Sequence, residues 1–365
     1  MPTLKDLFTE QGQSPWLDNL KRGWITDGEL ARQVEAGIRG ITSNPTIFQK
    51  AMEAGDDYDQ QLGDLVAGGQ TIEASYWDLV ASDIEAALAI LRPTYDDSDG
   101  RDGFVSVELA PELARDTARS EAQARSLHLA IDEPNLLVKI PGTVEGLPAI
   151  QAMIAEGRSI NITLIFSLER YRAVIEAYLA GLESCPGDLS RIASVASFFV
   201  SRVDTEVDRR LAESGSGEAP GLAGQAAVAQ AQVAYEIFAE QFSGPRWEAL
   251  VARGARVQRP LWASTSTKDE AYSDVLYVDS LIGPDTVNTM PEATIEAFVD
   301  HGVLARTLDA DPAAARQTLD RLAELGIDME DVASRLEDEG VASFSKSFDE
   351  VLDTLATKAE GLGAA

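Results

Sequence analysis

Lys139 is the residue whose type and placement offer the most chemistry. It stands in Asn135-Leu136-Leu137-Val138-Lys139-Ile140-Pro141-Gly142-Thr143, an apolar run that predicts a buried strand with a cation near its end. Burying an ammonium is costly, and the usual relief is loss of its proton. An unperturbed lysine is only about 0.04% free amine at neutral pH, whereas a desolvated one can be the nucleophile that Schiff-base formation requires. The lysines are Lys5, Lys21, Lys50, Lys139, Lys268, Lys346 and Lys358, and only Lys139 lies within a strand-like hydrophobic run. On position alone, a structural lysine snorkelling from a strand end remains the alternative.

Other polar residues end apolar runs in the same way. In chain order they are Asp18, Thr42 and Asn44, Glu108, Asn161 and Thr163, Ser197, Ser264, then Asn288 and Thr289. Thr42 and Asn44 are two apart, as are Asn161 and Thr163, so each pair can face one side of its strand. A single polar strand end commonly marks a turn or a helix cap, but so many are hard to assign to caps alone. Asp18 and Glu108 offer two carboxylates in different surroundings, the arrangement that separates acid from base. Asn44, Asn161 and Ser197 can hydrogen-bond sugar hydroxyls. Arg202 can hold a phosphate, or it can pair with Asp204 or Glu206 close by on the same segment. His128 and His301 sit in predicted helices without ligand spacing to a partner, so no metal site is expected. Neither a Gly-x-Ser-x-Gly turn nor a phosphate-binding glycine loop is present.

The elements that must position these residues alternate short apolar runs with segments of helical period, the pattern of parallel α/β folds. Strands are predicted at 14–18, 38–42, 104–108, 135–140, 159–165, 191–197, 259–264 and 285–289. Within 71–91 a helix is predicted from Ile72, Tyr76, Leu79, Val80, Ile84, Ala87 and Leu88 on one face. Eight strands with intervening helices predict an α/β fold, a (β/α)8 TIM barrel, with additional C-terminal helices; a doubly wound sheet is the alternative. Residues 1–365 read as a single barrel domain, with 291–365 forming the final barrel helix and extra helices. Asp96–Gly103 resembles part of a calcium loop but lacks its closing glutamate, and reads as a solvated loop. Ser214–Gly221 reads as a flexible connection before an alanine-rich helix ending near Phe242.

Composition narrows the partners. The net charge of −31, from 61 acidic and 30 basic residues, opposes nucleic acid and anionic membranes. A phosphorylated substrate would therefore need cations supplied locally by its site. The lone Cys185, before Pro186-Gly187, reads as a free surface thiol and permits no intramolecular disulfide. With no signal peptide and no apolar run of membrane-spanning length, a soluble cytoplasmic protein is expected. The oligomeric state is left open.

Four segments together resemble the transaldolase family, particularly its longer bacterial (actinobacterial and cyanobacterial-like) branch. Gly40-Ile41-Thr42-Ser43-Asn44-Pro45-Thr46-Ile47-Phe48 is similar to one signature, and Leu137–Leu147 to the segment around the family's Schiff-base lysine. The likeness continues through Ser159–Ser167 and Ala196–Arg202, and extends from Trp16-Leu17-Asp18 to Asn288-Thr289-Met290-Pro291. It implies a (β/α)8 barrel with the reactive lysine on the fourth strand, where Lys139 falls in the strand count. It also implies a cofactor-free transferase of the pentose phosphate pathway, moving a dihydroxyacetone unit from sedoheptulose 7-phosphate or fructose 6-phosphate to an aldose phosphate such as glyceraldehyde 3-phosphate. By the resemblance, Lys139 forms the Schiff base, Glu108 shuttles protons through a water held by Thr163, and Asp18 serves the cleaved bond. Thr42, Asn44, Asn161 and Ser197 are implied as substrate ligands, with Arg202 and Ser264 on the phosphate. Shorter members carry a second phosphate arginine where this chain has Ser266; Lys268 is the nearby substitute. Phe199 stands where the related fructose 6-phosphate aldolases tend to have tyrosine, which favours transfer over simple cleavage. A class I aldolase and a non-catalytic sugar-phosphate-binding protein are the competing readings.

Overall fold

A computed structural model describes residues 1–363, so the last two residues of the predicted C-terminal region lie outside the described residues. Eight parallel strands close on one another in sequence order: β1 (Gln13–Leu17), β2 (Gly40–Thr42), β3 (Phe104–Glu108), β4 (Leu136–Pro141), β5 (Ile160–Ile165), β6 (Ser194–Phe199), β7 (Arg259–Ala263) and β8 (Thr286–Met290). Nearly every strand residue is buried, because the barrel interior takes one face and the helical ring the other. That double burial explains why the strands read as near-continuous apolar runs.

The helices that matter for the site are α1 (Pro45–Glu53), α2 (Ile72–Asp97), α3 (Ser201–Ser214), α4 (Ala226–Gln241), α5 (Glu292–His301), α6 (Pro312–Glu324) and α7 (Met329–Gly363). Asn44 caps α1, its side chain accepting from the Ile47 amide at 3.0 Å, and Pro45 occupies the first turn, where no intrahelical N–H bond is lost. The 26-residue α2 runs through Pro93 to Asp97 and takes in the first residues of the predicted loop. The 35-residue α7 crosses back over α1, α2 and α3 and reaches β5. Gly340 permits that approach: a Cβ there would meet Leu164 Cδ2 at 2.9 Å.

Two local features depart from the expectations. β6 begins at Ser194 instead of residue 191, because Asp188 caps a turn through the Ser190 amide and the Ile192 amide bonds back to Leu189. The strand consequently ends at Phe199, and Ser197 lies inside it. Cys185 is buried, not on the surface; the turn after it is exposed, but Cys185 and Leu189 on either side of that turn join the apolar core. His128 and His301 both lie in helices, and no cluster of metal-ligating side chains occurs among the described residues. Among the described residues no helix is long and apolar enough to cross a membrane.

Candidate active site

Register fixes the centre of the site before any side chain is considered. Glu108 pairs with Lys139 across β3–β4, and Lys139 with Asn161 across β4–β5, so three polar residues form one row on adjacent strands. At the carboxyl ends of the strands a cavity of about 590 Å³ opens, lined by Asp18, Thr42, Asn44, Lys139, Thr163, Ser197, Phe199, Arg202, Ser264 and Lys268 among others. Another cavity, of about 700 Å³, opens at the amino ends. Its buried carboxylate, Asp102, is already bound by Ser14, Trp16, Arg39 and Arg259, a closed network that ties strand starts together.

Lys139 is 4% exposed. Its Nζ donates to Glu108 Oε2 at 2.9 Å and to the Ser43 carbonyl at 3.0 Å. The burial anticipated from the strand is real, and a carboxylate partner comes with it, as a buried cation requires. Glu108 is held above the ordinary carboxylate range, chiefly by burial; Lys139 opposes this and the charge of Asp18 adds to it. Phe48, Tyr76 and Phe348 wall its apolar side. Asp18 faces the cavity just past β1. Burial raises its proton affinity as well, while the Thr42 hydroxyl and the charges of Lys139, Lys268 and Arg202 draw it down. Thr42 Oγ1 donates to Asp18 Oδ1 at 2.7 Å and lies 2.6 Å from Thr289 Oγ1.

The remaining residues fall into layers. Asn161 is fully buried and spans strands, donating from Nδ2 to Ser106 Oγ at 3.0 Å and accepting from Ser197 Oγ at 2.7 Å. It lies beneath the cavity and holds Ser197, which reaches it. Thr163, one strand repeat above Asn161, lines the cavity with a buried hydroxyl that has no hydrogen-bond partner among the described residues. Asn44 lines the cavity and caps α1, so the cap reading and the site reading hold together. Asn288 instead accepts from Thr265 Oγ1 at 2.9 Å, below the cavity wall.

Arg202, in the first turn of α3, forms no ion pair with Asp204 or Glu206. Asp204 accepts from the Ala227 amide and the Tyr277 hydroxyl, each at 2.8 Å, and Glu206 is bound by Arg209 and Arg210. The guanidinium lies 5.6 Å from the centre of the Phe199 ring and faces the cavity. Ser264 adopts a left-handed backbone (φ 57°), a strained conformation for a residue with a side chain, and its hydroxyl lies 2.9 Å from Ser201 Oγ. Lys268 Nζ donates to Ser266 Oγ at 2.8 Å. The cavity also takes in Lys21, Lys50, Ser343 and Phe344, which the sequence reading did not single out. For Lys50 a signal existed: Ile47, Lys50 and Ala54 are spaced as one helical stripe beyond the Asn44 cap. For Ser43, whose backbone carbonyl does the work, no side-chain signal exists.

A profile of the family described as Transaldolase/Fructose-6-phosphate aldolase matches residues 15–355. The chain belongs to the transaldolase family. It is 52% identical to a transaldolase of Thermobifida fusca over 354 residues, 96% of each chain. A transaldolase of Mycolicibacterium smegmatis is 50% identical over 347 residues, 94% of each chain. Transaldolase 1 of Streptomyces avermitilis is 49% identical over 362 residues, 98% of this chain and 96% of that one. The resemblance drawn from four segments therefore extends over the whole length of this transaldolase-family member.

Proposed function

We propose that this member of the transaldolase family transfers a dihydroxyacetone unit between sugar phosphates of the pentose phosphate pathway through a Schiff base on Lys139. The observation that carries the reading is the buried Lys139–Glu108 pair, with Lys139 lining a cavity that Asp18 and Arg202 also face and Glu108 set behind it. Passing one proton from Lys139 to Glu108 leaves a neutral amine, which adds to the C2 carbonyl of a ketose phosphate. Glu108 then returns that proton to the carbinolamine hydroxyl, which leaves as water. The unpartnered hydroxyl of Thr163 suits a water that relays this proton. Asp18 takes the proton of the C4 hydroxyl, the C3–C4 bond breaks, and its electrons flow into the iminium to give an enamine. An aldose phosphate departs, an acceptor aldehyde enters, and the same steps run in reverse.

Thr42, Asn44 and Ser197 serve as hydroxyl ligands, with Asn161 orienting Ser197 from below. Arg202, Ser264 and Lys268 hold the phosphate. Phe199, backed by Phe166 with ring centres 5.0 Å apart, presents an apolar edge that keeps the enamine from water and favours transfer over release. Sedoheptulose 7-phosphate and fructose 6-phosphate are the donors, and glyceraldehyde 3-phosphate is an acceptor. Borohydride reduction in the presence of fructose 6-phosphate, followed by peptide mapping, tests the assignment. A dihydroxyacetone-derived mass is expected on Lys139; labelling mainly at Lys268 or another lysine would overturn it.

A further inference from the structure

Besides Lys139 and Lys21, which pair with Glu108 and Glu292, three cations line the cavity from separate elements: Arg202 from the first turn of α3, Lys268 from the segment after β7 and Lys50 from the last turn of α1. Acidic residues outnumber basic ones two to one in this chain, and guanidinium groups elsewhere are commonly matched. Arg246 meets Glu176 and Glu183, and Arg209 meets Glu206 and Glu213. Lys50, Arg202 and Lys268 form no ion pair among the described residues. Their charges also oppose one another: after burial, Arg202 is the main influence lowering the proton affinity of Lys268, and Lys50 lowers it further. Asp18, and for Arg202 also Glu339, offset part of this repulsion without forming an ion pair, and an arriving anion relieves more of it.

Lys50 reaches the cavity because of the helix beneath it. Ile47, Lys50 and Ala54 fall at helical spacing on the stripe that lines the cavity. The Asn44 cap fixes the start of α1, and contacts with α7 fix its length: Thr46 Oγ1 lies 2.8 Å from Ser347 Oγ, and Gln49 Nε2 donates to Glu350 Oε2 at 2.8 Å. The backbone under Lys50 is therefore anchored, whereas its side chain is long and exposed.

Resting on the reading of the cavity as a ketose-phosphate site, we infer that Lys50 is a direct ligand of the substrate phosphate. Together with Lys268 it supplies the charge that a second arginine at position 266 would bring. An ammonium is a point charge on a flexible stem, without the planar demands of a guanidinium. It can follow a phosphate whose distance from Lys139 differs by one carbon between six- and seven-carbon donors.

The test compares Lys50→Met and Lys50→Arg with Arg202→Ala as the reference. Inorganic phosphate binding is measured by calorimetry on each full-length variant. KM and kcat are measured with sedoheptulose 7-phosphate and glyceraldehyde 3-phosphate. Lys50→Met is expected to weaken phosphate binding roughly tenfold and to raise KM by a similar factor, with the loss in KM rather than kcat. Lys50→Arg should recover most of the affinity. Phosphate affinity and KM unchanged in Lys50→Met, while Arg202→Ala weakens both, would overturn the assignment and leave Lys50 as a helix-terminal charge. An enzyme that binds phosphate through Lys50 but turns over neither sugar phosphate would sustain the subsite and sink the reaction reading instead.

Discussion

Replacing Glu108 by glutamine separates the two tasks proposed for that side chain. The amide keeps the size of the carboxylate and can still accept from Lys139 Nζ, now 2.9 Å from Glu108 Oε2, so the floor of the cavity keeps its packing. The variant cannot take the lysine proton or return one to the carbinolamine. A positioned acid–base group contributes about 10²–10⁴ in rate, or roughly 3–5 kcal/mol at about 1.4 kcal/mol per decade. The low end of that range is expected here, because Asp18 lies near enough for its charge to influence Glu108 and offers a second, poorer base. The assay is single-turnover formation of the borohydride-reducible adduct alongside kcat, across pH. Both should fall about 10²–10³-fold together, and the part of the acidic limb set by Glu108, which burial holds above the ordinary carboxylate range, should be lost from adduct formation. Stability should fall less than for loss of a charged partner with nothing in its place, since the hydrogen bond survives. Activity within about threefold of the parent, or a loss accounted for by unfolded protein, would refute the role.

Phe199→Tyr should increase release of free dihydroxyacetone from fructose 6-phosphate relative to transfer onto a four-carbon aldose phosphate, because a hydroxyl beside the enamine can position water. If the parent already releases free dihydroxyacetone as fast without acceptor as with it, the aldolase reading wins. His128, on the helix Thr117–Ile131, is pushed down to about 4 by burial and by the charge of Arg158. The native state thus binds fewer protons than the unfolded chain between pH 6.5 and about 4, and stability falls as pH drops through that window, by roughly 3 kcal/mol from this residue. Urea unfolding at pH 7 and pH 4.5 should show a smaller acid loss in His128→Gln than in the parent; identical losses would exclude His128 as the source.

The barrel was legible because each strand is buried on both faces and must be apolar throughout, which makes a polar residue in it conspicuous. Lys139, Thr163 and Ser197 were found that way, and all three reach the cavity. Asn161 was found by the same signal but lies a layer lower, since period two fixes the face of a strand residue and not its depth. Arg202 was undecidable from sequence, because Asp204 and Glu206 stand within one helical turn of it. Arg209 and Arg210 compete for Glu206 at helical spacing that the sequence already shows, but only the fold brings Tyr277 to Asp204, and together these leave the guanidinium free of both carboxylates. Cys185 misled because an exposed Pro-Gly turn says nothing about which way the residues flanking it face. The Ser43 carbonyl and the passage of α7 over the site are products of tertiary packing, and neither leaves a local pattern.

That passage bears on how the two carboxylates differ. Asp18 follows β1 at an edge where Thr42, Arg202 and Lys268 supply a hydrogen bond and positive charge. Glu108, at the end of β3, has an aromatic wall from three helices: Phe48 on α1, Tyr76 on α2 and Phe348 on α7. Tyr76 meets Phe48 and Phe348 edge-on, with ring centres 6.5 Å and 5.2 Å away. The wall excludes water from one side of Glu108 and leaves Lys139 as its principal stabilising partner, so the proton between them has few other places to go. The surroundings of a pair formed by the third and fourth strands are therefore set in part by a helix at the far end of the chain. The same helix brings Phe344 to the cavity and Gly340 against Leu164. The additional C-terminal helix thus completes the surroundings of the proposed acid–base carboxylate, Phe348 closing a wall that Phe48 and Tyr76 begin.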